Sequence, residues 1–360
     1  MTSRERILTT LQGGIPDRIG RSDAIWSETF VRWKKEGLQE GQDVGQLFGF
    51  DFAGLPGFDL SLRLPTEVFE DTETYIIQRD ANGVTRKDVK GESGHTPHWL
   101  DHTIKTREDW MKYKERLVPD DDRIPANHAE SSKQLRESGK FVHYTGTEAY
   151  ELSWPVFGQV GIFTLMMDDP ELIEDVFATY TDLVIGLTAK ALDKGAEMDG
   201  AYFFGDLGYR NATLFSPKLY DRLLFPHHKR MCEFFNSRGK PVILHSCGRI
   251  LDLIPRFIEA GFSAIQPLEA KAGQDIRELR RVYGDRITFF GNMDIRKLSG
   301  TRQDVEEEML SKLRGAAKHG RYIYHSDHSV PPTVSFDNYR YVFELLDKYG
   351  RYENGQLALD

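Results

Sequence analysis

The chain has 360 residues, 39% of them hydrophobic and 29% charged, which is an ordinary globular composition for one large α/β domain or two smaller ones. Its formal net charge is -9 and it has no Lys/Arg-dense run, so nucleic acid and anionic lipid are not expected as main partners. It has no export signal, no stretch of about 18 apolar residues, and only two cysteines, so we expect a cytoplasmic protein without a membrane span or a disulfide scaffold.

The first 135 residues have an irregular pattern. Residues 2–12 are predicted to form a short helix, and residues 75–86 a β-hairpin that turns at Asn82-Gly83. Residues 87–135 are polar and rich in loops, and residues 141–148 form a strand that ends in the carboxylate of Glu148. Because no Pro/Gly/Ser-rich linker separates these segments from the rest, we interpret residues 1–135 as the start of the main fold plus an elaborated cap, within a single domain, 1–360.

The second half alternates short apolar runs with amphipathic segments. The predicted strands are residues 198–204, 241–245, 263–268, 287–291 and 322–325, and the predicted helices are residues 216–237, 251–260, 275–283, 301–319 and 336–349. Strands joined through single helices imply right-handed crossovers and a parallel sheet. Repeated this often, the pattern predicts closure into an α/β fold of the (β/α)8 TIM-barrel type, although an open doubly wound sheet is also compatible with it.

A histidine and a cysteine follow the buried strand 241–245. His245 and Cys247 are two residues apart, so their side chains project to the same side of an extended chain and form a zinc-type pair. Other polar residues follow predicted strands and are expected on the same face of a barrel: Glu148, Asp206, Glu269, Asn292, Asp294, Asp327 and His328. Asp294 and Glu269 are equally compatible with capping the helices that follow them.

Three residues in the predicted helix 216–237 are interpreted structurally. His227 and His228 lie in the middle of this helix, away from the strand ends, and are expected to be ordinary helix residues. Cys232 lies on the apolar face and is expected to be a small core residue.

Over most of its length the chain resembles the uroporphyrinogen decarboxylase superfamily. The resemblance is carried by HSCGRILDLIPRFIEAGFSAIQPLEAKAGQDIRELRRVYGDRITFFGNMD, the later SDHSVPP and the opening RERILTTLQGGIPDRI. It implies a single TIM barrel and one of two chemistries, metal-free decarboxylation in the haem pathway or zinc-dependent methyl transfer between corrinoid proteins and thiols such as coenzyme M. The decarboxylases are similar in an RQAGR-type segment that binds substrate carboxylates, of which only Arg18 and Arg21 are found here, so porphyrinogen decarboxylation is disfavoured.

The methyltransferase pattern matches better. In that branch a His-X-Cys pair follows a barrel strand, and a second Cys precedes a proline-containing segment after the last strand. His245 and Cys247 match the pair, and His328, just before the prolines of SVPP, stands where the second Cys is found. The resemblance therefore implies a zinc site of His245, Cys247 and His328, with Asp206 as the carboxylate expected near the metal.

Two enzymatic mechanisms and one non-catalytic role follow from these residues. In the first, zinc binds a thiol or comparable small acceptor, which takes a methyl group from a corrinoid carried on a partner protein, and Asp206 acts as an exchangeable ligand. In the second, zinc polarises an oxygen function on a small organic substrate, and Glu148 or Asp206 is the base of a demethylation, lyase or hydrolytic step. In the third, the barrel only binds a corrinoid protein or stores metal. We rank the three in this order.

Overall fold

The computed structural model describes residues 1–91 and 96–359. Its central sheet has eight parallel strands. In chain order they are β1 (Gly20–Arg21), β2 (Phe52–Leu55), β3 (Phe141–Thr147), β4 (Gly200–Phe204), β5 (Val242–Ser246), β6 (Ala264–Pro267), β7 (Thr288–Phe290) and β8 (Tyr322–Tyr324). From β2 to β8 each strand pairs with the next, and β8 pairs with β1.

Asp51, just before β2, joins the two ends of this sheet. Its backbone N–H donates to the carbonyl of Arg21 at 2.8 Å, and its carboxylate accepts the backbone N–H of Arg21, also at 2.8 Å. The same buried carboxylate pairs with Arg6 at 2.8 Å and with Arg18 at 2.9 Å, while the Arg21 side chain pairs with Asp347 at 2.6 Å. The predicted TIM barrel is therefore confirmed, and Arg18 and Arg21 are structural ion-pair partners.

The N-terminal helix Ser3–Leu11 plugs the end of the barrel at which the strands begin. Ile7 and Leu11 lie four residues apart on one face of this helix and enter the barrel interior. An added Cβ on Gly20 would lie 2.4 Å from the Ile7 side chain, so the helix packs directly against the start of β1. Inside the barrel the two side chains join Phe141, Tyr202, Ile243, Ala264, Phe290 and Ile323. The opposite, carboxyl-terminal end of the barrel remains available for a site.

Helices cover the outside of the barrel. Three helices follow β3: Ala149–Phe157, Gln159–Asp168 and Pro170–Asp193. After β4 come Pro217–Leu219, the π-helix Tyr220–Leu224 and Phe225–Asn236; after β5 comes Ile254–Ala260; and after β6 come the 3-10 turn Ala270–Ala272 and Ile276–Tyr283. After β7 come Ile295–Leu298, Arg302–Lys312 and the π-helix Leu313–Ala317, and after β8 comes Phe336–Tyr349. The predicted helices of the second half are confirmed, and the three helices after β3 were not predicted.

An insertion between β2 and β3 carries an antiparallel sheet of four strands, Glu67–Asp71, Tyr75–Arg79, Val84–Val89 and His98–His102. The predicted hairpin lies at its centre, and Gly83 in the turn has a φ of 74°. The prediction that residues 87–135 are rich in loops was wrong in part, because this region also contains the strand His98–His102 and the helices Arg107–Tyr113 and His128–Glu137. Its residues 92–95 lie outside the described residues. The Trp99 ring packs edge-on against Trp154, so this four-stranded sheet contacts the first helix after β3.

The remaining helices of the N-terminal part are Ser27–Lys35, Val44–Leu47, Arg107–Tyr113 and His128–Glu137, with 3-10 turns at Lys114–Arg116 and Asp121–Arg123. A two-stranded ribbon, Tyr352–Glu353 with Gln356–Leu357, follows the last helix. None of the helices in residues 1–91 and 96–359 has both the length and the apolar character needed to cross a membrane. The interpretation of residues 1–360 as one domain stays a prediction.

Candidate metal centre

Two glycines let the loops after β4 and β5 touch. A Cβ added to Gly248, whose φ is 75°, would lie 2.4 Å from the backbone carbon of Gly208. Beside this contact, the backbone N–H of Cys247 donates to Oδ1 of Asp206 at 2.8 Å. The close approach of the two loops thereby places the Asp206 carboxylate next to the cysteine.

Asp206, His245 and Cys247 converge at the carboxyl end of β5. Nε2 of His245 lies 3.3 Å from Sγ of Cys247 and 3.4 Å from Oδ1 of Asp206. Ligand atoms around a tetrahedral zinc ion are roughly 3.3–3.6 Å apart, given zinc bonds of about 2.0–2.3 Å. The two separations from Nε2 of His245 therefore fit a shared zinc ion, and Sγ of Cys247 and the Asp206 carboxylate lie within 4.8 Å of each other.

Cys247 also belongs to a second group of donors. Its Sγ and ligand atoms of Glu269 and His328 all lie within 4.8 Å of one another. The Glu269 side chain is buried, and Oε1 accepts the backbone N–H of Gly248 at 3.0 Å. Cys247 is thus common to both groups. His328 belongs to the second group and His245 to the first, so the predicted set of His245, Cys247 and His328 is not found as one group among the described residues. Glu269, which the sequence also placed after a strand, supplies a second carboxylate.

The electrostatic environment of these side chains is set by burial and by the two carboxylates. Burial raises the pKa of the Cys247 thiol, and the negative charges of Asp206 and Glu269 raise it further. Burial works against ionisation of Asp206, but the neighbouring His245 ring and the backbone N–H of Cys247 hold its pKa below the usual value. Burial lowers the pKa of His328. Carboxylates, neutral imidazole and a thiol together offer lone pairs and negative charge to a cation.

Glu148 is not brought to this cluster. It is fully buried and caps the helix Ala149–Phe157, with Oε1 accepting the N–H of Glu151 at 2.8 Å and Oε2 that of Tyr150 at 2.9 Å. Oε2 also lies 3.2 Å from Nε2 of His228. Because both oxygens are engaged by protein groups, the expected role of Glu148 as a catalytic base stays a prediction without geometric support.

Glu151 is the carboxylate on that helix that does reach the cluster, and sequence reasoning missed it. It accepts the backbone N–H of Asp206 at 3.1 Å. Burial raises the pKa of Glu151, and the negative charges of Asp206 and Glu148 raise it further, to about 8. The available signal was its position three residues after the N-cap Glu148, in the first turn of the helix that starts at the end of β3.

The other strand-end polar residues support the backbone. Asn292 accepts the N–H of Ile276 at 3.1 Å, and Asp294 caps the helix Ile295–Leu298. Asp327 accepts two backbone N–H groups, each at 3.0 Å, from the loops after β6 and β7. Burial raises the pKa of Asp327 to about 6. The capping alternative is therefore correct for Asp294, and the ring of seven polar residues contributes only part of its members to the candidate centre.

A cavity of about 380 Å³ adjoins the cluster inside the barrel mouth. Its wall combines aromatic rings, imidazoles and small polar groups. The lining residues are Ser22, Asp23, Ala24, Phe52, His143, Tyr202, Phe204, His245, Cys247, Gln266, Pro267, His325, His328 and Ser329. Since neither Lys nor Arg occurs among these lining residues, the cavity suits a small molecule of low negative charge.

A second cleft, of about 400 Å³, also includes Cys247 in its lining. Three cations line it, Arg210, Lys271 and Arg296. Lys271 lies 3.3 Å from a carboxylate oxygen of Glu269, and Arg296 lies 2.6 Å from one of Asp294. Cys247 therefore borders both an interior cavity whose lining has no Lys or Arg and a cleft lined by three such cations.

Gln266, His325 and Asp23 in the cavity wall were not identified from the sequence. Gln266 lies on β6, and its amide oxygen forms a short hydrogen bond with Nδ1 of His245. Its amide nitrogen lies 3.2 Å from Nε2 of His325, and Nδ1 of His325 lies 3.5 Å from Oδ1 of Asp23. A polar residue inside a buried strand was the available signal, because buried polar groups need partners.

Comparison with other proteins places the chain in a family. A family model described as uroporphyrinogen decarboxylase (URO-D) matches residues 155–349, more than half of the chain, and the chain belongs to this family. It is 26% identical over 223 residues to the uroporphyrinogen decarboxylase of Myxococcus xanthus, covering 61% of either protein. It is also 26% identical over 198 residues to that of Schizosaccharomyces pombe, covering 50% of either protein.

These matches span less than two thirds of the length of the curated relatives. Among solved structures, the chain is similar to a methyltransferase from Methanosarcina mazei, with a TM-score of 0.65 at 15% sequence identity, covering 97% of this chain and 99% of that one. At this level of identity the similarity supports the common fold, a TIM barrel. The predicted family is therefore confirmed.

Proposed function

We propose that this protein is a zinc-dependent methyltransferase that moves a methyl group between a corrinoid protein and a thiol or other small acceptor. The main support is the convergence of Asp206, His245 and Cys247. His328 and Glu269 lie near the same thiol, and a cavity in the barrel mouth lies beside it. Membership of the URO-D family and the shared fold with a methyltransferase from Methanosarcina mazei support this choice.

In this proposal His245, Cys247 and His328 hold the zinc ion, with Asp206 in the fourth position. Cys247 is the anchor because it is the donor common to both groups, and its thiolate is a strong zinc ligand. Glu269 is the alternative fourth ligand, since a carboxylate oxygen of Glu269, like the ligand atom of His328, lies within 4.8 Å of Sγ of Cys247. Cys247 must stay reduced, which agrees with the expected cytoplasmic setting.

Bound zinc would supply the positive charge that keeps an acceptor thiol in its thiolate form at neutral pH. His245 and His328 contribute no charge, so the protein's ligands carry less negative charge than a set with two cysteines. As the fourth ligand Asp206 would add one negative charge and could be displaced by the acceptor sulfur, while the acceptor's proton would pass to solvent. The hydrogen bond from the N–H of Cys247, at 2.8 Å, keeps Asp206 beside the site in the meantime.

The transfer itself balances without a further reactant. The acceptor sulfur forms a bond to the methyl carbon while the cobalt–carbon bond of the partner's corrinoid breaks, and both electrons of that bond remain on cobalt. The chain's own contribution is the cavity of about 380 Å³ at the mouth, where Phe52, Tyr202 and Phe204 exclude water from the reacting carbon and sulfur.

The cavity argues against porphyrinogen decarboxylation. A substrate with eight carboxylates requires a basic pocket, yet none of the side chains that line the cavity is Lys or Arg. Arg18 and Arg21 are the two arginines that remain where the decarboxylases have their RQAGR-type segment. Arg18 pairs with Asp51, and Arg21 pairs with Asp347. Their charges are neutralised within the fold.

Metal analysis tests the site. We expect one zinc per chain after purification without chelator, and loss of most of it in Cys247→Ser, because the variant removes the anchoring thiolate. Cys232→Ser is the matched control, since Cys232 is fully buried in the core. Wild-type protein that neither contains zinc nor takes it up at near-stoichiometric concentration would contradict the proposal, as would equal zinc loss in the two variants.

Activity assays separate methyl transfer from the second candidate, a zinc Lewis-acid enzyme. We expect demethylation of methylcobalamin by a thiol acceptor in the wild type. His328→Cys adds a negative charge to the metal, so the rate with a thiolate acceptor should persist or rise while zinc is retained. Polarisation of a bound oxygen group should weaken in the same variant. Zinc-loaded wild type that is inert toward methylcobalamin with a panel of thiols would favour the Lewis-acid enzyme.

A further inference from the structure

A chain of hydrogen bonds across the cavity wall begins at the backbone carbonyl of Ser326, after β8. Nδ1 of His325 lies 2.6 Å from this oxygen. A carbonyl oxygen only accepts hydrogen bonds, so Nδ1 of His325 must carry a proton. Burial holds the pKa of His325 below its ordinary value, so the ring is neutral and its Nε2 bears a lone pair.

The second step passes through Gln266 on β6. Its amide nitrogen lies 3.2 Å from Nε2 of His325, which can only accept. The amide group must therefore turn its NH2 toward His325, and this orientation directs its oxygen toward Nδ1 of His245. If the amide were flipped, Oε1 of Gln266 would face the lone pair of Nε2 of His325. Two acceptors cannot form a hydrogen bond with each other, so this orientation would be unfavourable in a buried site.

The third step fixes His245. Because the Gln266 oxygen only accepts, Nδ1 of His245 must carry the proton, and in a neutral ring Nε2 is then free. Nε2 is the atom that lies 3.3 Å from Sγ of Cys247 and 3.4 Å from Oδ1 of Asp206. Metal-binding histidines typically donate their other N–H to an oxygen acceptor in this way.

We propose that Gln266 and His325 are positioning residues that hold His245 in the tautomer with a free Nε2, using the Ser326 carbonyl as the fixed acceptor. The three side chains come from β5, from β6 and from the residue that follows β8, so the network also ties His245 to the loop that carries His328. The link to zinc affinity rests on the proposed function, whereas the tautomer of His245 is a property of the metal-free protein.

The tautomer is measured directly. Metal-free protein labelled with 15N-histidine is examined by long-range 1H–15N correlation NMR, and His245→Asn assigns the signal among the 11 histidines. We expect His245 protonated at Nδ1 in the wild type and in Gln266→Glu, because a carboxylate also accepts from Nδ1. Gln266→Leu should give a mixture of tautomers. Protonation at Nε2 in the wild type would overturn the proposal.

Zinc affinity is measured by chelator competition in the same variants. Gln266→Leu should weaken binding roughly 10–100-fold and shift the absorption bands of the cobalt-substituted protein, whereas Gln266→Glu should stay within a few fold of the wild type. His325→Phe should weaken binding less, and should add little in the Gln266→Leu background because both act through one network.

His143→Phe is the control, since His143 lines the same cavity but its ring contacts Thr145, at 3.2 Å, on its own strand. Wild-type affinity in Gln266→Leu, or an equal loss in the control, would overturn the positioning role. A wild type that binds no zinc would contradict the proposed function, and the tautomer measurement would still decide the network.

Discussion

Replacing Glu148 by Gln distinguishes a structural role of this carboxylate from a catalytic one. Its two oxygens accept the N–H groups of Tyr150 and Glu151 at 2.9 and 2.8 Å, and one of them lies 3.2 Å from Nε2 of His228. Nδ1 of the same histidine lies 2.9 Å from the Tyr220 hydroxyl. Glutamine has one acceptor oxygen and an NH2 group that only donates, so at least one of these N–H groups loses its partner.

The size of the effect follows from the contacts that are lost. A lost helix cap costs about 1 kcal/mol, and a lost hydrogen bond to a buried charged group costs about 1.5–3 kcal/mol. We therefore expect Glu148→Gln to lower the free energy of unfolding by about 3 kcal/mol. For a chain of 360 residues, with an unfolding entropy of about 0.8 kcal/mol per kelvin, Tm should fall by roughly 4 °C.

Calorimetry and steady-state kinetics on the same samples provide the assay. We expect the lower Tm together with a turnover number within a few fold of the wild type well below Tm. A cycle with His228→Asn should show non-additive free energies of unfolding, because the two side chains interact directly. An unchanged Tm combined with a loss of turnover of several orders of magnitude would refute this reasoning and identify Glu148 as a base.

Two further predictions concern the metal centre and acid stability. Asp206→Asn should keep the fold, weaken zinc binding by roughly 10–100-fold and reduce turnover, as measured by chelator competition and kinetics; unchanged affinity would leave Asp206 as a support for the Cys247 backbone. Burial lowers the pKa of His143 to about 4, so this ring is neutral in the folded protein but gains a proton in the unfolded chain below about pH 6.5. The contribution of the neutral His143 ring to the free energy of unfolding is therefore fully present above that pH. It decreases as pH falls toward 4, by up to roughly 3 kcal/mol. Urea titrations at both ends of this range should therefore show a smaller loss of stability in His143→Phe than in the wild type, and an equal loss would contradict the assignment.

The candidate metal centre could be predicted where local sequence alone placed its residues. His245 and Cys247 share a strand end, so the period of two in an extended chain puts their side chains on one side. Asp206 follows a predicted strand and does lie beside Cys247, at 2.8 Å from its N–H. Glu148 follows a strand in the same way but turns into a helix cap, because the next residues need a partner for their free N–H groups. A strand-end position alone did not distinguish these two outcomes.

The residues that sequence reasoning missed are those whose roles depend on several segments. His228 was expected to be an ordinary helix residue, yet its ring bridges Tyr220 and Glu148. Gln266 and His325 each resemble an isolated polar residue in an apolar strand. Their connection exists only because β5, β6 and β8 turn their side chains into one cavity.

The sequence by itself determined a parallel α/β fold and favoured a barrel, whereas closure of the sheet was decided by the tertiary structure. Alternating strands and helices bury apolar surface in only a few ways, and parallel connections of one hand restrict the topology further. It also determined the His-X-Cys pair, because two residues on one strand have a fixed relative direction. Only the tertiary structure decided which carboxylates face Cys247, which cap helices, and how Gln266 orients His245, since these depend on contacts of a few ångströms between loops that are far apart in the chain.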